Sequence, residues 1–216
     1  MNFMQLRERQ PKFPVTVKTG EGVVELIWNK IEYADGYRVF ASPVGKNHFV
    51  GVINVKGTTA VMKKRANGVP MQYKVKAFRI ADGPDNFFGE SEIVIACPLE
   101  TPRRLTAIVG SDGICTLSWR YNSQCDGFKI YADSNESGKY SFVCYSGKNS
   151  CRLDSFTKSG KVSFVVRSFI MTGHMEKLGV SSAPAEAVLP KSKGAKAVQF
   201  DHSMIRKTAG DYNARR

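Results

Sequence analysis

At 216 residues, 42% of them hydrophobic, the chain can fill two small hydrophobic cores, and no apolar run is long enough for a membrane-spanning helix. A net charge of +13 favours anionic partners: nucleic acid, acidic glycans, an anionic membrane face or an acidic protein. Five cysteines, an odd number, argue against a complete disulfide framework, and residues 1–10 lack the apolar segment and cleavage site of a signal peptide.

Residues 1–12 read as an N-terminal arm. Residues 23–28 alternate, with Val24, Leu26 and Trp28 on one face, the period of a half-buried strand. Asp35-Gly36 punctuates the chain as a turn, and Tyr37, Val39 and Ala41 form the inward face of the next strand. Short strands are expected at 49–55 and 58–62. Residues 73–79 alternate again, with Lys74 and Lys76 toward water, and a strand at 92–96 follows. Pro98-Leu99-Glu100-Thr101-Pro102 carries two prolines that fix φ and reads as a joint of limited freedom between two units that make an elongated spacer. The pattern then restarts. Leu26 returns as Leu117, Trp28 as Trp119, Tyr73 as Phe164 and Phe78 as Phe169, each 91 residues on. Cys125-Asp126-Gly127-Phe128-Lys129-Ile130-Tyr131-Ala132 repeats the segment from Ala34 to Ala41. A constant offset over a domain length means two copies of one fold. Further strands are expected at 114–119, 128–132, 140–145, 164–169 and 185–189. Residues 13–190 show no helical stripe, so the fold class is all-β.

Each copy runs in the same order: a strand ending in Trp, an Asp-Gly turn, an aromatic-x-aliphatic strand, a Tyr-x-Val-x-Ala strand, a Gly-x-Ser motif and a closing proline. The late motifs are Gly89-Glu90-Ser91 with Pro98, and Gly179-Val180-Ser181 with Pro190. This order resembles fibronectin type III domains, particularly bacterial ones. The resemblance implies two consecutive immunoglobulin-like β-sandwiches, at 13–99 and 100–190, with a basic tail at 191–216. The second copy departs at Phe164, where the family usually has tyrosine. In such sandwiches that tyrosine buries its ring and its hydroxyl bonds to the chain upstream. Tyr73 fits the role and Phe164 cannot, a loss worth about 0.5–1.5 kcal/mol that predicts a less stable second domain. By the same logic Trp28 and Trp119 are structural, each costing about 3–5 kcal/mol if truncated to alanine. Cys115 shares a face with Leu117 and Trp119 and reads as a core residue. Cys144 and Cys151 flank a turn and could face each other across a hairpin; the paired and free forms both stay open.

His48, His174 and His202 lie far apart, none in a metal-ligand spacing, and no phosphate loop, nucleophile elbow or HExxH is present. Asp82-Gly83-Pro84-Asp85 reads as a turn rather than a calcium loop. No catalytic residue, metal or cofactor is therefore expected. Binding is expected at two late loops, 80–88 and 170–178, where Phe87 and Phe88, and Met171, His174 and Met175, are the candidate contacts. A basic stripe of Arg38, Lys74 and Lys76, matched by Lys129 and Arg167, is either a site for an anionic partner or a solvated face that keeps a sheet from aggregating. The tail carries seven Lys/Arg against two Asp, and Phe200 and Met204, four apart, could anchor it on a neighbour.

These readings favour a non-catalytic structural and adhesion module, a subunit of a larger assembly. The resemblance implies a phage virion or tail component, located in the virion or an extracellular assembly. The alternatives are a bacterial surface or glycan-associated module within a longer protein, and a basic nucleic-acid-binding protein. Partners expected are other protein subunits, a second copy among them, an anionic surface or glycan, and nucleic acid.

Overall fold

The computed structural model describes residues 12–83, 86–154 and 159–190. Among these the regular structure is β-strand, apart from a 3-10 turn at Ile80–Asp82. The chain divides between Pro98 and Leu99 into two compact units.

In the first unit, β1 (Val15–Gly20), β2 (Val23–Trp28) and β5 (Thr59–Met62) form a three-stranded antiparallel sheet in the order β1-β2-β5. The second sheet joins β3 (Gly36–Pro43), β4 (Val50–Val55), β6 (Met71–Phe78) and β7 (Phe87–Glu90) in the order β4-β3-β6-β7, and β8 (Val94–Ala96) also pairs with β6. Side chains alternate across each strand, so every strand gives one face to the core. Val24, Leu26 and Trp28 meet Tyr37, Val39, Tyr73 and Val75 there, with the Trp28 and Tyr37 rings edge-on at 5.3 Å.

The second unit repeats the plan. One sheet runs β13-β10-β9, from β9 (Arg103–Val109), β10 (Cys115–Arg120) and β13 (Ser150–Leu153). The other runs β12-β11-β14-β15, from β11 (Gly127–Asp133), β12 (Ser141–Ser146), β14 (Gly160–Thr172) and β15 (Met175–Leu178), with β16 (Ala185–Leu189) also on β14. Cys115, Leu117, Trp119, Phe128, Ile130 and Phe164 fill its core, and the Trp119 and Phe128 rings meet at 5.1 Å. Each unit is thus an immunoglobulin-like sandwich of the fibronectin type III kind, the fold class expected from the sequence.

The Asp-Gly turns do more than reverse the chain. A Cβ on Gly36 would stand 2.6 Å from the Phe78 ring, and one on Gly127 2.9 Å from the Phe169 ring. These glycines let a cross-strand aromatic lie on the backbone. Asp35 Oδ2 accepts the Ile80 N–H at 2.9 Å and Asp126 Oδ2 the Met171 N–H at 2.6 Å, tying the first turn to the segment just after β6 and the second to the last residues of β14.

Four sequence expectations change. The tyrosine expected to bond to the upstream backbone does not do so: the buried Tyr73 hydroxyl meets no backbone group, and its polar neighbour is the Arg65 guanidinium. Burial raises its pKa, while the nearby Arg65 guanidinium pulls it down in part. Tyr37 makes the upstream bond instead, accepting the Ile31 N–H at 2.8 Å, so the Tyr73/Phe164 difference no longer predicts a weaker second unit. The serine matching Ser91 is Ser182, not Ser181. Ser91 Oγ accepts the Val75 N–H at 2.9 Å, and Ser182 Oγ accepts the Val166 N–H at 3.0 Å. The segment 170–178 is mostly hairpin, paired from Phe169↔Leu178 to Thr172↔Met175, with Gly173 at φ 64° supplying the turn. Finally, Cys144 and Cys151 do not face each other across a hairpin ladder. Their strands, β12 and β13, belong to different sheets, and the sulfurs meet between the layers at 3.3 Å.

Candidate functional site

Alternation sends Arg38 and Phe40 of β3, and Lys74, Lys76 and Phe78 of β6, to the side of their sheet away from the core. The β3–β6 register sets Arg38 opposite Lys76 and Phe40 opposite Lys74. Like charges directly opposed on a sheet are destabilising, and two features relieve them. The first is Glu90 of β7, whose carboxylate lies 2.9 Å from Lys76 Nζ and 3.3 Å from Lys74 Nζ. Partial burial raises the Glu90 pKa, but Lys76 and then Lys74 outweigh it and hold the carboxyl below its ordinary value. The second is aromatic. Lys74 lies 4.6 Å from the Phe49 centroid, Lys76 5.6 Å from Phe40 and 5.5 Å from Phe87, and the Arg38 guanidinium 5.4 Å from Phe87. Each such contact is worth about 0.5–1 kcal/mol at an exposed site and more when desolvated.

The rings pack on one another as well. Phe87 meets Phe40 edge-on at 5.5 Å and Phe78 at 6.4 Å. The lysines are therefore not simply turned to water, as alternation alone predicts: Lys74 is 17% exposed and Lys76 26%. Arg38 Nε donates to Asn54 Oδ1 at 2.8 Å, and its stem crosses Gly51, where an added Cβ would come within 3.1 Å of Cδ. A recess of about 480 Å³ lies there, lined by Arg38, Val52 and Asn54 among others, near the β-bulge at Val39/Phe40.

The second unit builds a related face from different strands. Lys129 of β11 stands opposite Arg167 of β14. Lys129 Nζ lies 2.6 Å from Glu176 Oε1 of β15, and 5.1 Å and 5.6 Å from the Tyr145 and Phe142 centroids of β12. Burial lowers the Lys129 pKa, but the Glu176 carboxylate outweighs it and the net shift is upward. Arg167 Nε donates to the Gly179 carbonyl at 2.8 Å. Tyr131, Phe142, Tyr145 and Phe169 make a chain of edge-on contacts at 5.9, 4.9 and 5.6 Å. The place of Lys74 is taken by Val165, 7% exposed.

The structure thus gathers Arg38, Lys74 and Lys76 on one face and Lys129 and Arg167 on its counterpart. It separates the two adjacent phenylalanines: Phe87 joins the cationic face, and Phe88 enters the core. Met171 is half-buried, while His174 and Met175 stand exposed at the hairpin tip. Phe200, Met204 and the rest of the basic tail lie outside the described residues. Sequence reading missed the rings of Phe40, Phe49, Phe142 and Tyr145 as partners of the cations. A signal existed for two of them: Phe40 and Phe49 return as Tyr131 and Tyr140 at the repeat offset, whereas Phe142 and Tyr145 fall on Gly51 and Asn54. Among the described residues no three His, Cys, Asp or Glu side chains are grouped to hold a metal. Chemically, each face offers an ammonium and a guanidinium group, with the lysines and Arg38 lying over aromatic rings, which suits carboxylates carried on an apolar surface.

No protein-family model and no curated protein matches the chain. Among solved structures it is similar to the FN1-FN3 domains of chicken CNTN1, at 19% identity over 83% of this chain and 67% of that one, with a TM-score of 0.38. It is also similar to a two fibronectin type-III domain segment of chicken tenascin, at 18% identity over 83% of this chain and 98% of that one, with a TM-score of 0.44.

Proposed function

We propose that the chain is a non-catalytic structural and adhesive module, a subunit of a larger assembly. It docks acidic protein partners through the outer face of β4-β3-β6-β7 and the matching face of β12-β11-β14-β15. One observation carries the reading. The cation pairs Arg38/Lys76 and Lys129/Arg167 sit in register at equivalent places; Arg38 lies over the Phe87 ring, Lys76 over those of Phe87 and Phe40, and Lys129 over those of Phe142 and Tyr145. A face that merely keeps a sheet soluble needs the charges but not the rings. Aromatic residues and Arg are the types enriched where proteins bind one another.

The assembly proposed is a phage virion or tail, on the strength of the sequence resemblance to bacterial fibronectin type III domains. Density-gradient fractionation of the natural source, followed by cross-linking mass spectrometry, tests it. The chain is expected in particle fractions, with cross-links from Lys74, Lys76 and Lys129 to acidic segments of other subunits. Recovery only as a free monomer overturns the reading. Nucleic-acid binding is separated by titrating duplex DNA over a salt series. Affinity falling with a slope of about −0.9 per phosphate neutralised would replace the protein partner with DNA.

A further inference from the structure

We propose that Cys144 and Cys151 are a redox staple that, by exchange with a small-molecule disulfide such as oxidised glutathione, closes a covalent bond between the two sheets of the second unit. The inference is independent of the partner reading above. β12 is the open edge of one sheet and β13 the open edge of the other. The two strands are consecutive in the chain yet lie in different layers, and Cys144 and Cys151 are where the layers touch, sulfur to sulfur at 3.3 Å. A disulfide needs about 2.05 Å, so closure asks for little more than 1 Å of approach at an edge strand.

The repeat shows what this corner otherwise holds. The positions 91 residues earlier are Ile53 and Ala60, a partly buried residue packed on the core and a fully buried one. The first unit closes the corner with apolar contact, and the second puts two thiols there. Those thiols are half-buried, as is Cys125, whereas Cys97 and Cys115 are buried; what singles the pair out is that their sulfurs meet. The hydrogen bond shared by the two sulfurs holds the Cys151 thiol below its ordinary value and pushes that of Cys144 up.

The exchange balances. The Cys151 thiolate attacks one sulfur of oxidised glutathione, forming a mixed disulfide and releasing one glutathione thiolate. The Cys144 thiolate then attacks the Cys151 sulfur and releases the second. Two protein thiols are oxidised, one glutathione disulfide is reduced, and the two thiol protons end on the released glutathiones. The bond fixes β12, which carries Phe142 and Tyr145 over Lys129, to the opposite layer.

The test equilibrates the full chain with oxidised glutathione, quenches with alkylating reagent after denaturation, and maps peptides. The result expected is a loss of two hydrogens, one Cys144–Cys151 linked peptide, and alkylated Cys97, Cys115 and Cys125. The oxidised form should raise the melting temperature of the second unit, followed through its own peptides by hydrogen exchange, by roughly 10 °C. Cys144→Ser and Cys151→Ser should each abolish that rise, and Cys115→Ser should keep it. Five alkylated thiols, a persistent glutathione adduct, a link to Cys115, or a bond that leaves the melting temperature unchanged would each overturn the proposal.

Discussion

Two buried tyrosines of the first unit should respond differently to loss of the hydroxyl. Tyr37 is 1% exposed and its oxygen is the acceptor for the Ile31 N–H, a backbone donor at the edge of the same core. Tyr37→Phe leaves that N–H stranded, which costs about 1–3 kcal/mol. At about 2 kcal/mol the unfolding equilibrium shifts roughly 30-fold and the melting temperature falls by roughly 10 °C. Tyr73 is fully buried and its hydroxyl meets no backbone group. Tyr73→Phe removes a desolvated polar atom, strands no backbone donor and gives up only the contact with the Arg65 guanidinium, so the change should stay within about 1 kcal/mol of neutral. Thermal melts of the full chain, with peptide-resolved hydrogen exchange to assign each transition to its unit, give both values. A Tyr73→Phe loss as large as that of Tyr37→Phe would refute the reasoning and restore Tyr73 as the tyrosine that ties the chain down.

The remaining predictions concern equivalent positions and charge. Ser182→Ala strands the Val166 N–H and should cost about 1–3 kcal/mol, while Ser181→Ala should stay within about 0.5 kcal/mol, as chemical denaturation would read. Glu90 has a folded pKa below its ordinary 4.5, so its contribution is present above that value and lost as pH falls through the lower folded one. Glu90→Gln should therefore flatten the acid limb of the first unit's stability profile and leave the neutral-to-alkaline limb parallel to the parent; an unchanged acid limb contradicts it. Gly36→Ala drives a methyl into the Phe78 ring and should cost about 1–3 kcal/mol. In a double-mutant cycle Phe78→Ala should absorb most of that cost, and simple additivity would show the ring is not what glycine accommodates.

Strands with their own alternation were legible from sequence, and β2 and β16 begin and end where period two places them. Strands that exist because a neighbour pairs with them were not. β15, Met175-Glu176-Lys177-Leu178, has no clean alternation and forms because Gly173 turns the chain back on β14. The late serine was misplaced for a related reason. Gly179 and Ser182 are three apart where Gly89 and Ser91 are two apart, so matching the motif by its letters shifts the register by one residue. Counting the offset from Val75 to Val166 instead lands on Ser182.

The candidate face divides along the same line. Its cations were visible because each alternates on a central strand, and their pairing across β3–β6 and β11–β14 follows from the repeat. Apart from Phe40 on β3, the rings over them and the acids beside them come from edge strands or from the residue just before one, whose register no local pattern announces. That separation has a physical consequence. Among the described residues, Glu90 bridges two lysines, whereas Glu176 pairs with Lys129 and Val165 stands where a third cation would be. A lysine at that buried place would be desolvated, which is costly unless a carboxylate pairs with it. The central strands therefore set where charge can sit, and the edges set how much of it the sheet tolerates. For this reason the two faces, built on one scaffold, carry different numbers of cations.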